Sequence, residues 1–191
     1  MKFHYAGKYS GNPDDLPCLE HVPGAIPFKE AEDSKTLGRI ASIIAIILFI
    51  LAYAVVYMRS GSIYFGFPAL ILFIISMVPH EFIHALCFKE DVYMYQNLKH
   101  GMLFVVGPER MSKGRFILMS LMPSIVLAFI PFAVFMINPE LQQLGVFGAF
   151  GISAGAGDFY NVYHAVTQMP KGSWTYLHKF NSYWYMPENR Q

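Results

Sequence analysis

Long apolar runs alternate with short polar connections along the chain, and the runs have membrane length. Ile40 to Met58 is an uncharged stretch flanked by Arg39 and Arg59. As a helix rising 1.5 Å per residue it covers roughly 28 Å, about the hydrocarbon thickness of a bilayer. Tyr64 to Phe88 is the second run, with no charge before Glu81. Phe116 to Ile137 is the third, and Leu144 to about Thr167 the fourth. Between the second and third, Val92–Tyr95 and Met102–Val106 have strand character, separated by Asn97, Lys99, His100 and Gly101. The pattern predicts an all-α integral membrane protein of about four transmembrane helices, with a small β-hairpin between spans two and three. That hairpin either connects the spans or offers an edge to an extended peptide; His100 reads as a polar loop residue.

The remaining sequence divides around this core. Residues 1–37 carry Pro13, Pro17, Pro23 and Pro27 and read as an irregular polar tail, with a short helix beginning within Phe28 to Thr36. Residues 38–168 are expected to form a four-span membrane domain. Residues 169–191 form an aromatic-rich tail, with Trp174, Tyr176, Phe180, Tyr183, Trp184 and Tyr185 among lysines, as at a membrane interface or a buried aromatic cluster.

Composition agrees. The 191 residues are 54% hydrophobic and 14% charged, whereas soluble domains carry about 25% charged residues. A net charge of +1 gives no electrostatic case for nucleic acid as a partner. Cys18 and Cys87 lie far apart and form no disulfide framework. No apolar signal-peptide segment opens the sequence, so the first span is expected to act as its own insertion signal. Lys89, Lys99, Arg110, Lys113 and Arg115 cluster in the 89–115 connection, while 138–144 has no Lys or Arg. The positive-inside rule then predicts a multi-pass protein of the cell membrane with both termini and the 89–115 loop cytoplasmic.

The candidate chemistry is His80-Glu81-Phe82-Ile83-His84, an H-E-x-x-H late in the second run. On a helix, residues i and i+4 share a face, so both imidazoles can reach one metal ion. Zn²⁺ suits such a set, and Glu81 is placed to take a proton from a metal-activated water. Pro79, just before His80, either kinks the helix to aim the ligands or is an ordinary membrane-helix proline.

A catalytic zinc usually has three protein ligands. Glu90 and Asp91 are too close to reach back, and Glu109 lies in a loop. Asp158 is the one carboxylate inside a later span, where an unpaired Asp costs on the order of 2.5–3.5 kcal/mol. Counted from Tyr64 and from Leu144, His80 and Asp158 lie at depths of roughly 24 and 21 Å, close enough to meet. His164 is an alternative ligand. Asn161, one turn from Asp158, and His164 are also candidates to orient a ligand or bind substrate. Gly148, Gly151 and Gly155 make a small-residue face suited to close helix contact.

These residues resemble a known group. An H-E-x-x-H late in one span, with an Asp in a later span after a small-residue run (Ser153 to Asn161, SAGAGDFYN), looks like the site-2-protease type of intramembrane zinc metalloprotease. The four-span layout over roughly residues 38–168 is similar to the zincin peptidase family DUF3267. The resemblance implies zinc held by His80, His84 and Asp158, with Glu81 as general base. Site-2 proteases usually carry Asp-Gly in the later motif, whereas Asp158 is followed by Phe159. The expected function is hydrolysis of a peptide bond of a membrane protein or peptide substrate, in or beside the bilayer. The alternatives are a non-catalytic zinc-binding membrane protein that meets partner helices, and a hydrolase of a lipid or small molecule.

Overall fold

The computed structural model describes residues 2–187 apart from positions 32, 65, 98–101 and 180; Lys99, His100, Gly101 and Phe180 therefore lie outside the described residues. Two short strands, β1 (Phe3–Lys8) and β2 (Ile26–Pro27), precede helix α1 (Ser34–Ser60). Asp33 caps α1, its carboxylate accepting the N–H groups of Lys35 and Thr36, both at 2.9 Å. The helix stops at Gly61, whose φ of 69° is a left-handed conformation that glycine adopts freely. Helix α2 (Phe67–Leu86) contains Pro79 without interruption.

Helix α3 (Lys113–Ser124) passes through a widened π-helical turn, Ile125–Phe129, into α4 (Ile130–Ile137). Pro123 and Pro131, neither with an N–H to give, bracket that turn. Among the described residues, three helices are long and apolar enough to cross a membrane: Lys35–Ser60, Phe67–Leu86 and Lys113–Ile137. Their outer faces are apolar and exposed, including Ile43, Ile46, Ile47 and Ile50 on α1 and Ile71, Ile74, Ile75 and Val78 on α2. Exposed apolar surface on this scale suits lipid rather than water.

The predicted fourth span differs. It is two helices, α5 (Gln142–Ala154) and α6 (Ala156–Gln168), separated at Gly155. Each is about 20 Å long, too short to cross a bilayer alone. The reason lies in packing. The α5 backbone comes so close to the α3–α4 rod that a Cβ on Gly148 would strike Phe132 and Ala128, and one on Gly151 would strike Ala128. A Cβ on Gly155 would strike Ser124. The small-residue face is thus filled from within the chain. Helix α5 forms the centre of the bundle, where Val146, Phe147, Ala149 and Ile152 pack on Ala52 and Val56 of α1, Ala69 of α2, and Ala128 and Phe135.

The expectation of an all-α chain with one hairpin also needs correction, because the described residues form two small sheets. The hairpin is present as β3 (Val92–Asn97) and β4 (Met102–Val106), and β1 joins it in parallel, giving the order β1-β3-β4. The second sheet has the order β2-β7-β6-β5, built from β5 (Met111–Ser112), β6 (Trp174–His178), β7 (Asn181–Tyr185) and β2. Short strands such as β1, β2 and β5 exist only because a distant segment satisfies their backbone groups. Tyr176 and Tyr183 stack across β6 and β7 at 6.0 Å, and Tyr176 is buried. The helix expected to begin within Phe28 to Thr36 begins at Ser34, as the first turn of the long α1 rather than as a short separate helix.

Candidate metal centre

The last two turns of α2 carry the motif, and the helical repeat puts His80 and His84 on one face, ring centroids 4.9 Å apart. The first turn of α6 brings Asp158 against them. Its Oδ2 lies 3.3 Å from His80 Nε2 and its Oδ1 lies 3.2 Å from His84 Nε2. One ligand atom from each residue falls within 4.8 Å of the others. A tetrahedral ion with bonds of 2.0–2.1 Å separates its ligands by roughly 3.3 Å, so the two imidazole–carboxylate distances suit zinc.

Proton placement makes a second test of fit. His84 Nδ1 lies 2.9 Å from the Met119 carbonyl oxygen. A carbonyl only accepts, so Nδ1 carries the proton and a neutral ring presents the Nε2 lone pair to Asp158. A lone pair facing a carboxylate oxygen at 3.2 Å is repulsive unless a cation or a second proton lies between. A divalent ion satisfies both groups, and the imidazole–carbonyl contact is the usual support of a metal-binding histidine.

That carbonyl is available for a reason legible in the chain. In an α-helix the carbonyl of residue 119 bonds the N–H of residue 123. Residue 123 is proline and has none. Pro123 therefore leaves the Met119 oxygen for His84, at the cost of a helix bond.

Glu81 points to a different neighbour. Its carboxylate faces the backbone N–H of Val105 in β4. In an antiparallel ladder a residue's N–H and C=O point to the same side. Both backbone groups of Val105 are thus turned toward the motif helix and away from β3. Among the described residues, β4 is an edge strand.

A polar clamp fixes the end of α2. Glu109 is buried; its Oε2 accepts the N–H groups of Lys89 at 2.7 Å and Glu90 at 3.1 Å, and its Oε1 accepts from Arg115 at 2.7 Å. Arg115 also donates to the Cys87 carbonyl at 3.0 Å. Burial acts to raise the Glu109 carboxyl, but these donors outweigh it and hold the group below the ordinary carboxylate range.

Asn161 lines a cavity next to the centre. His164 is elsewhere: buried, it hydrogen-bonds Gln168, meets the Tyr160 ring edge-on and stacks on Phe28. It is not among the side chains grouped with His80, His84 and Asp158. Reading the sequence missed the Met119 carbonyl, Val105 and the Glu109–Arg115 clamp. Only Pro123, four residues after Met119 in an apolar run, left a signal.

The comparisons with known proteins agree with the chemistry of this cluster. The model of the DUF3267 family, described as "Putative zincin peptidase", matches residues 73–174, more than half the chain and both halves of the cluster. No curated protein and no solved structure matches.

Proposed function

The chain belongs to the DUF3267 family of zincin peptidases, and from that premise we propose that it is a membrane-embedded zinc metallopeptidase cleaving a peptide bond in or beside the bilayer. The observation that carries the proposal is the convergence of His80, His84 and Asp158 near one end of three apolar helices. Those three residues hold the zinc. Zinc bound there supplies a Lewis acid that makes water a nucleophile near neutral pH and polarises a carbonyl.

The chain's own groups do the rest. Glu81 accepts a proton from the attacking water and hands it to the leaving amine. Glu81 is not needed as a ligand, which favours catalysis over passive zinc storage. The Met119 carbonyl keeps the His84 ring oriented. The outward backbone groups of β4 pair with an extended, locally unwound substrate and lay it beside Glu81. Asn161 is placed to contact the substrate.

Sheet pairing supports the predicted topology. β1 pairs with β3, and β5 with β6, so the N-terminal segment, the 89–112 connection and the C-terminal segment lie at one end of the bundle. With the Lys and Arg residues of that connection, this favours both termini on the cytoplasmic side of the cell membrane. The rival reading, a zinc-binding scaffold for partner helices, loses its proposed contact because the Gly148/Gly151 face is already filled.

The test uses detergent-purified protein, zinc analysis and cleavage of fluorescein-labelled casein. Wild type is expected to hold one zinc and cleave. Glu81→Gln is expected to keep the zinc and lose cleavage by at least a hundredfold. Cleavage by Glu81→Gln at the wild-type rate refutes the mechanism.

A further inference from the structure

We infer that the cavity beneath the C-terminal end of β4 is a subsite for one large apolar side chain of the substrate, a phenyl ring or a branched aliphatic. The inference rests on the metallopeptidase reading and adds what that enzyme selects.

Three residues that line the cavity, Met119, Asn161 and Val105, adjoin the metal centre. Met119 is the residue whose carbonyl bonds His84. Asn161 sits one helical turn beyond Asp158. Val105 presents its N–H to Glu81. A peptide laid along β4 turns every second side chain the same way, so a residue beside the scissile bond reaches the cavity.

Phe88, Val106, Met111, Phe116 and Leu177 supply apolar wall. The one charged group on the wall, Glu109, and the Thr175 hydroxyl are already engaged within the protein, which leaves Asn161 as a neutral polar group toward the substrate. Both oxygens of Glu109 are taken by Lys89, Glu90 and Arg115. The Thr175 hydroxyl donates to the Tyr183 carbonyl at 2.9 Å. No unpaired charge is left to select a charged side chain, and selection falls to shape and apolar burial. The volume is about 170 Å³, and a cavity of roughly 150 Å³ is known to hold benzene.

The experiment titrates zinc-loaded protein in detergent with two succinyl hydroxamates that differ only in a benzyl or a methyl group beside the chelating end. The benzyl compound is expected to bind at least tenfold tighter. Met111→Trp, which fills the cavity, is expected to cut benzyl binding at least tenfold and leave methyl binding unchanged. Phe116→Ala, which enlarges it, is expected to admit a naphthylmethyl group that wild type rejects, and it carries the test if the tryptophan variant does not fold. Equal binding of benzyl and methyl compounds by wild type overturns the subsite and leaves the zinc centre standing. Failure of both compounds to bind the zinc-loaded protein overturns the metallopeptidase reading and the subsite with it.

Discussion

Pro123→Ala separates support of the metal from support of the fold. The substitution returns an N–H to position 123, which can close the helix bond to the Met119 carbonyl. His84 Nδ1 then shares or loses the acceptor it holds at 2.9 Å. Loss of such a supporting contact typically lowers metal affinity 10–100-fold, or about 1.4–2.7 kcal/mol. The effect on folding is smaller and mixed. Pro123 is fully buried, and removing two ring methylenes costs about 1.6 kcal/mol. Relief of the helix-interior proline returns up to about 3 kcal/mol. Thermal stability of the metal-free protein is therefore expected to stay level or rise while zinc affinity falls. The assay is zinc competition against a chromophoric chelator, with a melting curve on the same sample. Pro131→Ala is the control, since the carbonyl four residues before it belongs to Leu127, which does not contact the cluster. Wild-type affinity in Pro123→Ala, or an equal loss in Pro131→Ala, refutes the reasoning.

Other expectations concern the surroundings of the centre. Gly155→Ala drives a methyl into Ser124 and the Phe159 ring; it is expected to cost about 1–3 kcal/mol in stability and to weaken zinc binding by moving Asp158, read by melting and chelator competition. Glu109→Gln removes the charge from the clamp and is expected to cost roughly 2 kcal/mol at neutral pH. Because the folded Glu109 carboxyl is held low, that advantage of wild type exists above the ordinary carboxylate range and disappears as pH falls through the folded value; a difference that persists in acid contradicts it. Glu30 has the opposite sign. Burial raises its carboxyl against the Ser182 N–H and Asn181 amide that bond it, so its stabilising contribution is complete below the ordinary value and is lost as pH rises through the folded one. Glu30→Gln is accordingly expected to melt above wild type at pH 8 and to converge with it in acid.

How much was legible in the chain follows from how local each signal is. The three continuous apolar helices could be read directly, because hydrocarbon thickness fixes a length and backbone satisfaction fixes a helix, both within one segment. The pairing of His80 with His84 was legible for the same reason, since the helical repeat alone puts them on one face. The β3–β4 hairpin was visible in its alternation and short connection.

What the tertiary structure decided depends on groups far apart in sequence. Strand β1 has no hairpin neighbour to announce it, and its backbone pairs with β3, some ninety positions later. β6 and β7 read as an interfacial aromatic tail until their rings were paired across strands. The division of the fourth apolar run at Gly155 goes with the close approach of α5 to Ala128 and Ser124; the glycine spacing announced a close contact but not the segment that makes it. Above all, the sequence could name Asp158 as a carboxylate needing a cation, but only the packing of both α2 and α6 on α3 put its oxygens 3.2–3.3 Å from two imidazoles. The Met119 oxygen and the Val105 N–H are backbone groups with no residue identity of their own, so only the fold could assign them to His84 and Glu81.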